Sequence, residues 1–122
     1  MNDKRTILVL EDDECVREML CEVLSDHGYE VHGAENGESA LDLLKQRVFD
    51  IIISDFSMPG MNGQEFVHEA RLCFPGALIV GISGLPCQDS FLEAGADMFL
   101  KKPFHPLRLI SLLPFPEQES NA

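Results

Sequence analysis

Thr6-Ile7-Leu8-Val9-Leu10 runs straight into Glu11-Asp12-Asp13-Glu14, and this junction decides the fold. Four consecutive apolar residues after Thr6, with no polar alternation, are the pattern of a strand buried on both faces, as in a parallel sheet. The run is far short of the roughly 18–20 apolar residues of a membrane span. It is also too short for the core of a signal peptide. Across 15–27 the period changes: Val16, Met19, Leu20, Val23 and Leu24 fall at i, i+3, i+4, i+7 and i+8, an amphipathic helix stopped by Gly28.

The alternation then repeats along the chain. Tyr29–Gly33 reads as a short strand of mixed polarity, which belongs at a sheet edge. Asn36 is placed to cap a helix reaching about Arg47, with Ala40, Leu41 and Leu44 inward. Ile51-Ile52-Ile53 is the next β-branched run, ending in Ser54-Asp55. The loop 56–62 leads to a helix over Gly63–Cys73, with Phe66, Val67 and Ala70 buried. Pro75-Gly76 turns the chain into the buried run Ala77–Ile82. A short helix over Gln88–Ala94 stops at Gly95, Met98–Leu100 is a fifth strand, and Pro106–Leu113 is a last helix halted by Pro114.

Strands and helices alternating in this way predict an α/β fold with right-handed crossovers. The expected architecture is a doubly wound five-stranded parallel sheet of order 2-1-3-4-5, flavodoxin-like, a (βα)5 three-layer sandwich. Ligands bind such sheets at the carboxyl ends of the strands, at the switch point between the first and third.

The composition fits this reading. A chain of 122 residues with 45% apolar and 25% charged residues suits one globular domain. We expect a single domain over 1–122, with its core at about 5–113, a tail over 114–122, and mobility from Glu117 onward. Nine basic against 21 acidic residues give a net charge of −12, which argues against a nucleic-acid face built on clustered Lys and Arg. Cys15, Cys21, Cys73 and Cys87 show no Cys-x-x-Cys spacing, so neither a zinc site nor a disulfide framework is expected. Cys15 and Cys73 read as small buried or half-buried apolar residues, and the four histidines form no ligand pattern. With no leader or membrane span in view, the expected location is cytoplasmic.

Chemistry collects at the carboxyl ends of the runs. The first ends in Glu11-Asp12, the third in Asp55, the fourth in Ser83-Gly84 and the fifth in Lys101-Lys102-Pro103. Carboxylates converging from neighbouring strands repel one another and raise one another's pKa. A hard divalent cation relieves this, and carboxylate oxygens with open water positions suit Mg2+. A hydroxyl and an ammonium on the flanking strands complete a pocket shaped for a phosphoryl group. Asp13 and Glu14 fit equally well as first-turn acids of the following helix.

Over about residues 5–113 the sequence resembles the receiver domain of bacterial response regulators, through ILVLEDDE, IIISDFSMPGMNG, VGISG and FLKKPF. The resemblance implies that Asp55 is the phosphoacceptor. It also implies that Asp12 is a direct Mg2+ ligand and that Glu11 acts mainly through water. Arg17, six residues after Glu11, matches a basic residue common in such families and supports this placement of the acidic pair. Ser57 would offer its backbone carbonyl to the metal, Ser83 its hydroxyl to the phosphoryl group, and Lys102 its ammonium, with Lys101 pointing elsewhere. Phe99 stands at the switch aromatic, and the bond to Pro103 is expected to be cis. Gly84 stands where the family usually has Ala, so a looser loop is expected there, and the last helix is short.

The implied function is a phosphoacceptor switch in a two-component phosphorelay, not an enzyme beyond its own phosphotransfer and dephosphorylation. The implied partners are a sensor histidine kinase or a histidine phosphotransfer protein, and a downstream protein target. The protein would be a stand-alone receiver, monomeric or weakly dimeric on phosphorylation, binding neither nucleic acid nor membrane. The signal would leave through a face carrying Leu85, Pro86, Phe91, Leu92, Phe104 and Leu107, with Phe91 and Phe99 as anchors. A haloacid-dehalogenase-type phosphatase would want an acid at position 57, where Ser57 stands. Flavodoxin-like FMN capture would want a hydroxyl-rich loop where Glu11–Glu14 stand. An adaptor that has lost phosphorylation is expected to lack one of Asp12, Asp55 or Lys102.

Overall fold

A computed structural model of the chain describes residues 4–55 and 63–117. Its elements are β1 (Thr6–Leu10), α1 (Glu14–Asp26), β2 (Glu30–Ala34), α2 (Gly37–Gln46), β3 (Ile51–Asp55), α3 (Gly63–Cys73), β4 (Leu78–Ser83), α4 (Gln88–Ala94), β5 (Met98–Lys101) and α5 (Pro106–Ser111). The strands form one parallel sheet of order β2-β1-β3-β4-β5. The mixed-polarity strand is indeed at an edge, and the three all-apolar runs are central.

Alternation along each strand divides the core in two. Ile7, Val9, Ile51, Ile53, Val80 and Ile82 face α1 and α5, where Leu20, Leu24 and Leu109 cover them. Leu8, Leu10, Ile52 and Ile79 face the other way, under Ala40, Leu44, Phe66, Val67, Ala70 and Phe91. Each such side chain taken fully from water contributes about 1.5–3 kcal/mol, so both faces resist a slip in register.

Local signals fix the helix ends. Asp13 caps α1, its carboxylate accepting from the Val16 N–H at 3.2 Å. Asn36 does the same for α2 through the Ser39 N–H at 2.8 Å. Gly28, with φ of 100°, takes the left-handed turn that ends α1.

Several expectations are corrected. Cys15 and Cys73 are exposed; Cys21 is half-buried and Cys87 buried. Met19 is exposed rather than inward. Phe91 is fully buried, because Gly81 of β4 leaves a slot for its ring; a Cβ there would meet the ring carbons at 2.6–2.9 Å. Phe91 is therefore core, not an exposed anchor. The last helix is shorter than expected, ending at Ser111. Residues 114–117 are not a loose tail either. The Arg5 N–H donates to the Pro116 carbonyl at 2.7 Å, the Arg5 guanidinium reaches the carbonyls of Phe115 and Glu117, the Tyr29 hydroxyl reaches that of Pro114, and Lys4 bridges Glu117. Residues 118–122 lie outside the described residues.

Candidate functional site

Strand parity carries the acids and the lysine to one place. Asp55 continues the face of Ile51 and Ile53, Glu11 continues that of Ile7 and Val9 one residue beyond β1, and Lys102 continues that of Met98 and Leu100 one residue beyond β5. All three face the α1/α5 side at the carboxyl end of the sheet. Oxygens of Glu11, Asp12 and Asp55 lie within 4.8 Å of one another. Asp12 is exposed, Asp55 is 5% exposed and Glu11 is fully buried.

Lys102 answers this charge. Its Nζ donates to Glu11 Oε1 and lies 3.6 Å from Asp55 Oδ1. Glu11 also accepts the Asp13 N–H at 3.3 Å through Oε2. Burial pushes the Glu11 carboxyl up to about 7; the Lys102 hydrogen bond pulls it down, and Asp55 pushes it up again. Burial works against the Lys102 ammonium, yet Glu11 and Asp55 outweigh it and hold its pKa above the usual lysine value. Hard oxygen donors this close, with Glu11 held above the usual carboxylate range chiefly by burial, fit a divalent cation such as Mg2+.

Lys101 is exposed and turned away, and the peptide bond between Lys102 and Pro103 is cis. Ser83 is not drawn to the carboxylates. It lies on the opposite face of the sheet with Gly81, buried, its Oγ accepting the Leu85 N–H of its own loop at 3.0 Å. Phe99 is half-buried, with its ring 5.8 Å from that of Phe91. It lines a groove of about 440 Å3 with Leu85, Pro86, Gln88, Asp89 and Lys101. Ser57 lies outside the described residues.

Two contacts were not foreseen from the sequence. The Lys102 N–H donates to the Ser83 carbonyl at 2.9 Å, extending the β4–β5 ladder and tying the two segments together. The Arg17 guanidinium donates to the Glu11 carbonyl at 2.9 Å. The six-residue spacing marked Arg17, but the carbonyl that it meets carries no sequence signal.

Comparison with known proteins gives a consistent result. A family model described as the response regulator receiver domain matches residues 7–114. The chain is 35% identical over 113 residues to the chemotaxis protein CheY of Thermotoga maritima, covering 89% of this chain and 94% of that one. It is 32% identical to the phosphate regulon transcriptional regulatory protein PhoB of Escherichia coli over 88% of this chain, but spans only 49% of PhoB. Among solved structures, a response regulator from Burkholderia pseudomallei with a phosphorylated aspartic acid, calcium ion and citrate superposes with a TM-score of 0.85 at 26% identity, covering 90% of this chain and 66% of that one. With its sheet order, its acidic pocket and this match along nearly its whole length, the chain belongs to the receiver-domain family of two-component response regulators.

Proposed function

We propose that the protein is a phosphoacceptor switch in which Asp55 takes a phosphoryl group from a phosphohistidine on a sensor histidine kinase or histidine phosphotransfer protein. The observation that carries this reading is the buried Asp55 carboxylate at the end of a central strand, with Lys102 Nζ at 3.6 Å and oxygens of Glu11 and Asp12 close by. The phosphorylated aspartic acid in the B. pseudomallei relative supports it.

An Asp55 oxygen attacks the phosphorus, a P–O bond forms as the P–N bond to the donor imidazole breaks, and the imidazole leaves. Glu11, Asp12, Asp55 and the Ser57 carbonyl are the residues to hold Mg2+, which when bound supplies charge neutralisation for the transferring group. Lys102, already paired with Glu11 and Asp55, holds a phosphoryl oxygen. Attack of water on the same phosphorus restores the Asp55 carboxylate and releases inorganic phosphate.

The Ser83 hydroxyl exchanges the Leu85 N–H for the phosphoryl group, and Phe99 turns inward behind it. Such a ligand shifts the two states only by its differential affinity for them. The altered surface lies around Leu85, Leu92 and Leu107, all exposed, and there a downstream protein binds. Ser57 in place of an acid argues against the phosphatase reading. The presence of Asp12, Asp55 and Lys102 argues against an adaptor that has lost phosphorylation.

The test is intact mass after incubation with acetyl phosphate and Mg2+. One phosphoryl adduct is expected, absent from Asp55→Asn. An adduct that persists in Asp55→Asn, or none in the parent chain, overturns the assignment.

A further inference from the structure

The peptide bond joining Glu11 to Asp12 links the two acids of the pocket, and its plane helps to set where both carboxylates point. It lies just beyond β1, where the Glu11 N–H still reaches the Ala34 carbonyl at 3.1 Å. The Glu11 carbonyl instead takes Arg17 NH1 at 2.9 Å. Arg17 is half-buried, one turn into α1, and its stem is closely confined. A Cβ on Gly33 of β2 would stand 3.3 Å from Arg17 Cγ and Cδ and 3.2 Å from Cys21 Sγ. A glycine in the edge strand thus leaves a slot, the arginine stem runs along it, and the guanidinium closes on the one carbonyl between the acids.

We infer that Arg17 is a positioning residue for the cation site, fixing the Glu11–Asp12 peptide and thereby setting the affinity for Mg2+. This rests on the reading of Glu11, Asp12 and Asp55 as the metal-binding group. Groups that orient metal ligands without touching the metal are worth about 10–100-fold in affinity. The sign separates this role from a purely electrostatic one. A guanidinium beside a cation site opposes the cation by charge alone, so its removal would tighten Mg2+ if field were all that it contributed. If it positions the ligands, removal weakens Mg2+.

The experiment is a Mg2+ titration of the full chain followed by backbone amide shifts, with thermal unfolding in the absence of divalent cation as control. Arg17→Met is expected to raise the Mg2+ Kd about tenfold. Arg17→Lys, which keeps the charge and one donor but not the planar fork, should recover part of the loss. Gly33→Ala leaves Arg17 in place but crowds its stem. It gives a smaller rise and serves should Arg17→Met not fold. An unchanged or lowered Kd in Arg17→Met, or a lower melting temperature with Kd unchanged, overturns the inference while leaving the site intact. Failure of the parent chain to bind Mg2+, or binding unaffected by Asp12→Ala, overturns the reading of the site itself and the inference with it.

Discussion

At the amino ends of the strands, charged side chains bond mainly to the main chain, whereas at the carboxyl ends they face one another. Arg5 holds the carbonyls of Phe115 and Glu117, and Asp50 takes the Thr6 N–H at 2.9 Å. Arg71 is tied to the carbonyls of Pro75, Ala77 and Gly95 at 2.8–3.0 Å and to Asp97 at 2.6 Å, while Asp97 also accepts the Ile79 N–H at 2.8 Å. A carbonyl does not titrate, and an arginine stays charged at any ordinary pH. Glu11, Asp55 and Lys102 at the other end have only a few ångströms between like charges. One end is organised for stability, and the other tolerates a local cost of crowded carboxylates that a cation can relieve.

The largest expected effect probes the stable end. Arg71→Ala leaves the carbonyls of Pro75, Ala77 and Gly95 and the Asp97 carboxylate without their donor and should cost about 4 kcal/mol, taking roughly 1 kcal/mol for each lost partner. Urea unfolding measures this. Phosphorylation by acetyl phosphate should persist under native conditions, because Arg71 has no contact with the pocket. A variant of parent-like stability, or one folded but unable to take up phosphate, would break the division between the ends.

How much of this was legible follows from which contacts have a local signature. The strands β1 and β3 were readable because an unbroken Leu, Ile and Val run of five residues or fewer suits a strand buried on both faces and little else. Strand parity then carried Asp55, Glu11 and Lys102 to one face. The cap at Asn36 was readable because capping is local, whereas Asp13, read as a first-turn acid of α1, is in fact its cap. The Arg5 and Arg71 ties were not readable. Arg5 meets residues 110 and 112 positions away, and the Arg71 carbonyl partners are main-chain atoms that every residue carries. Phe91 was misplaced because its burial depends on the missing side chain of Gly81 across α4 and β4. Cys15 and Cys73 were misplaced because small size suits a core but does not compel one.

The second prediction concerns pH. Glu11 holds its proton more tightly in the fold, at about 7, than in the unfolded chain, at 4.5. Its contribution to stability is therefore fully present below 4.5 and is lost as the pH rises through about 7. Without divalent cation, the melting temperature should fall between pH 5 and about 8. Glu11→Gln, which cannot ionise, should flatten that slope. Mg2+, which favours the ionised carboxylate, should flatten or reverse it. Because Arg5 meets main-chain carbonyls, which do not titrate, its loss should lower the whole curve without changing its shape. A slope unchanged in Glu11→Gln would remove the contrast between the two ends.

The smallest effect compares glycines at the two ends. Gly28, near the amino ends, has φ of 100° and Pro116 3.3 Å from where a Cβ would stand, so both backbone and space require it. Gly84, after β4, has no positive φ, and a Cβ there would meet nothing closer than Lys102 at 3.9 Å. A glycine that geometry does not require still costs folding, because the unfolded chain has more conformations to lose. Gly84→Ala is therefore expected to stabilise the fold by about 0.5 kcal/mol. If the freedom of this loop serves the exchange of the Ser83 hydroxyl between Leu85 and a phosphoryl group, the gain in stability should come with slower spectral exchange at 83–87, by NMR with beryllofluoride. A destabilised Gly84→Ala would mean that the loop is held as tightly as the Arg5 strap, and the looseness assigned to the carboxyl end would be wrong.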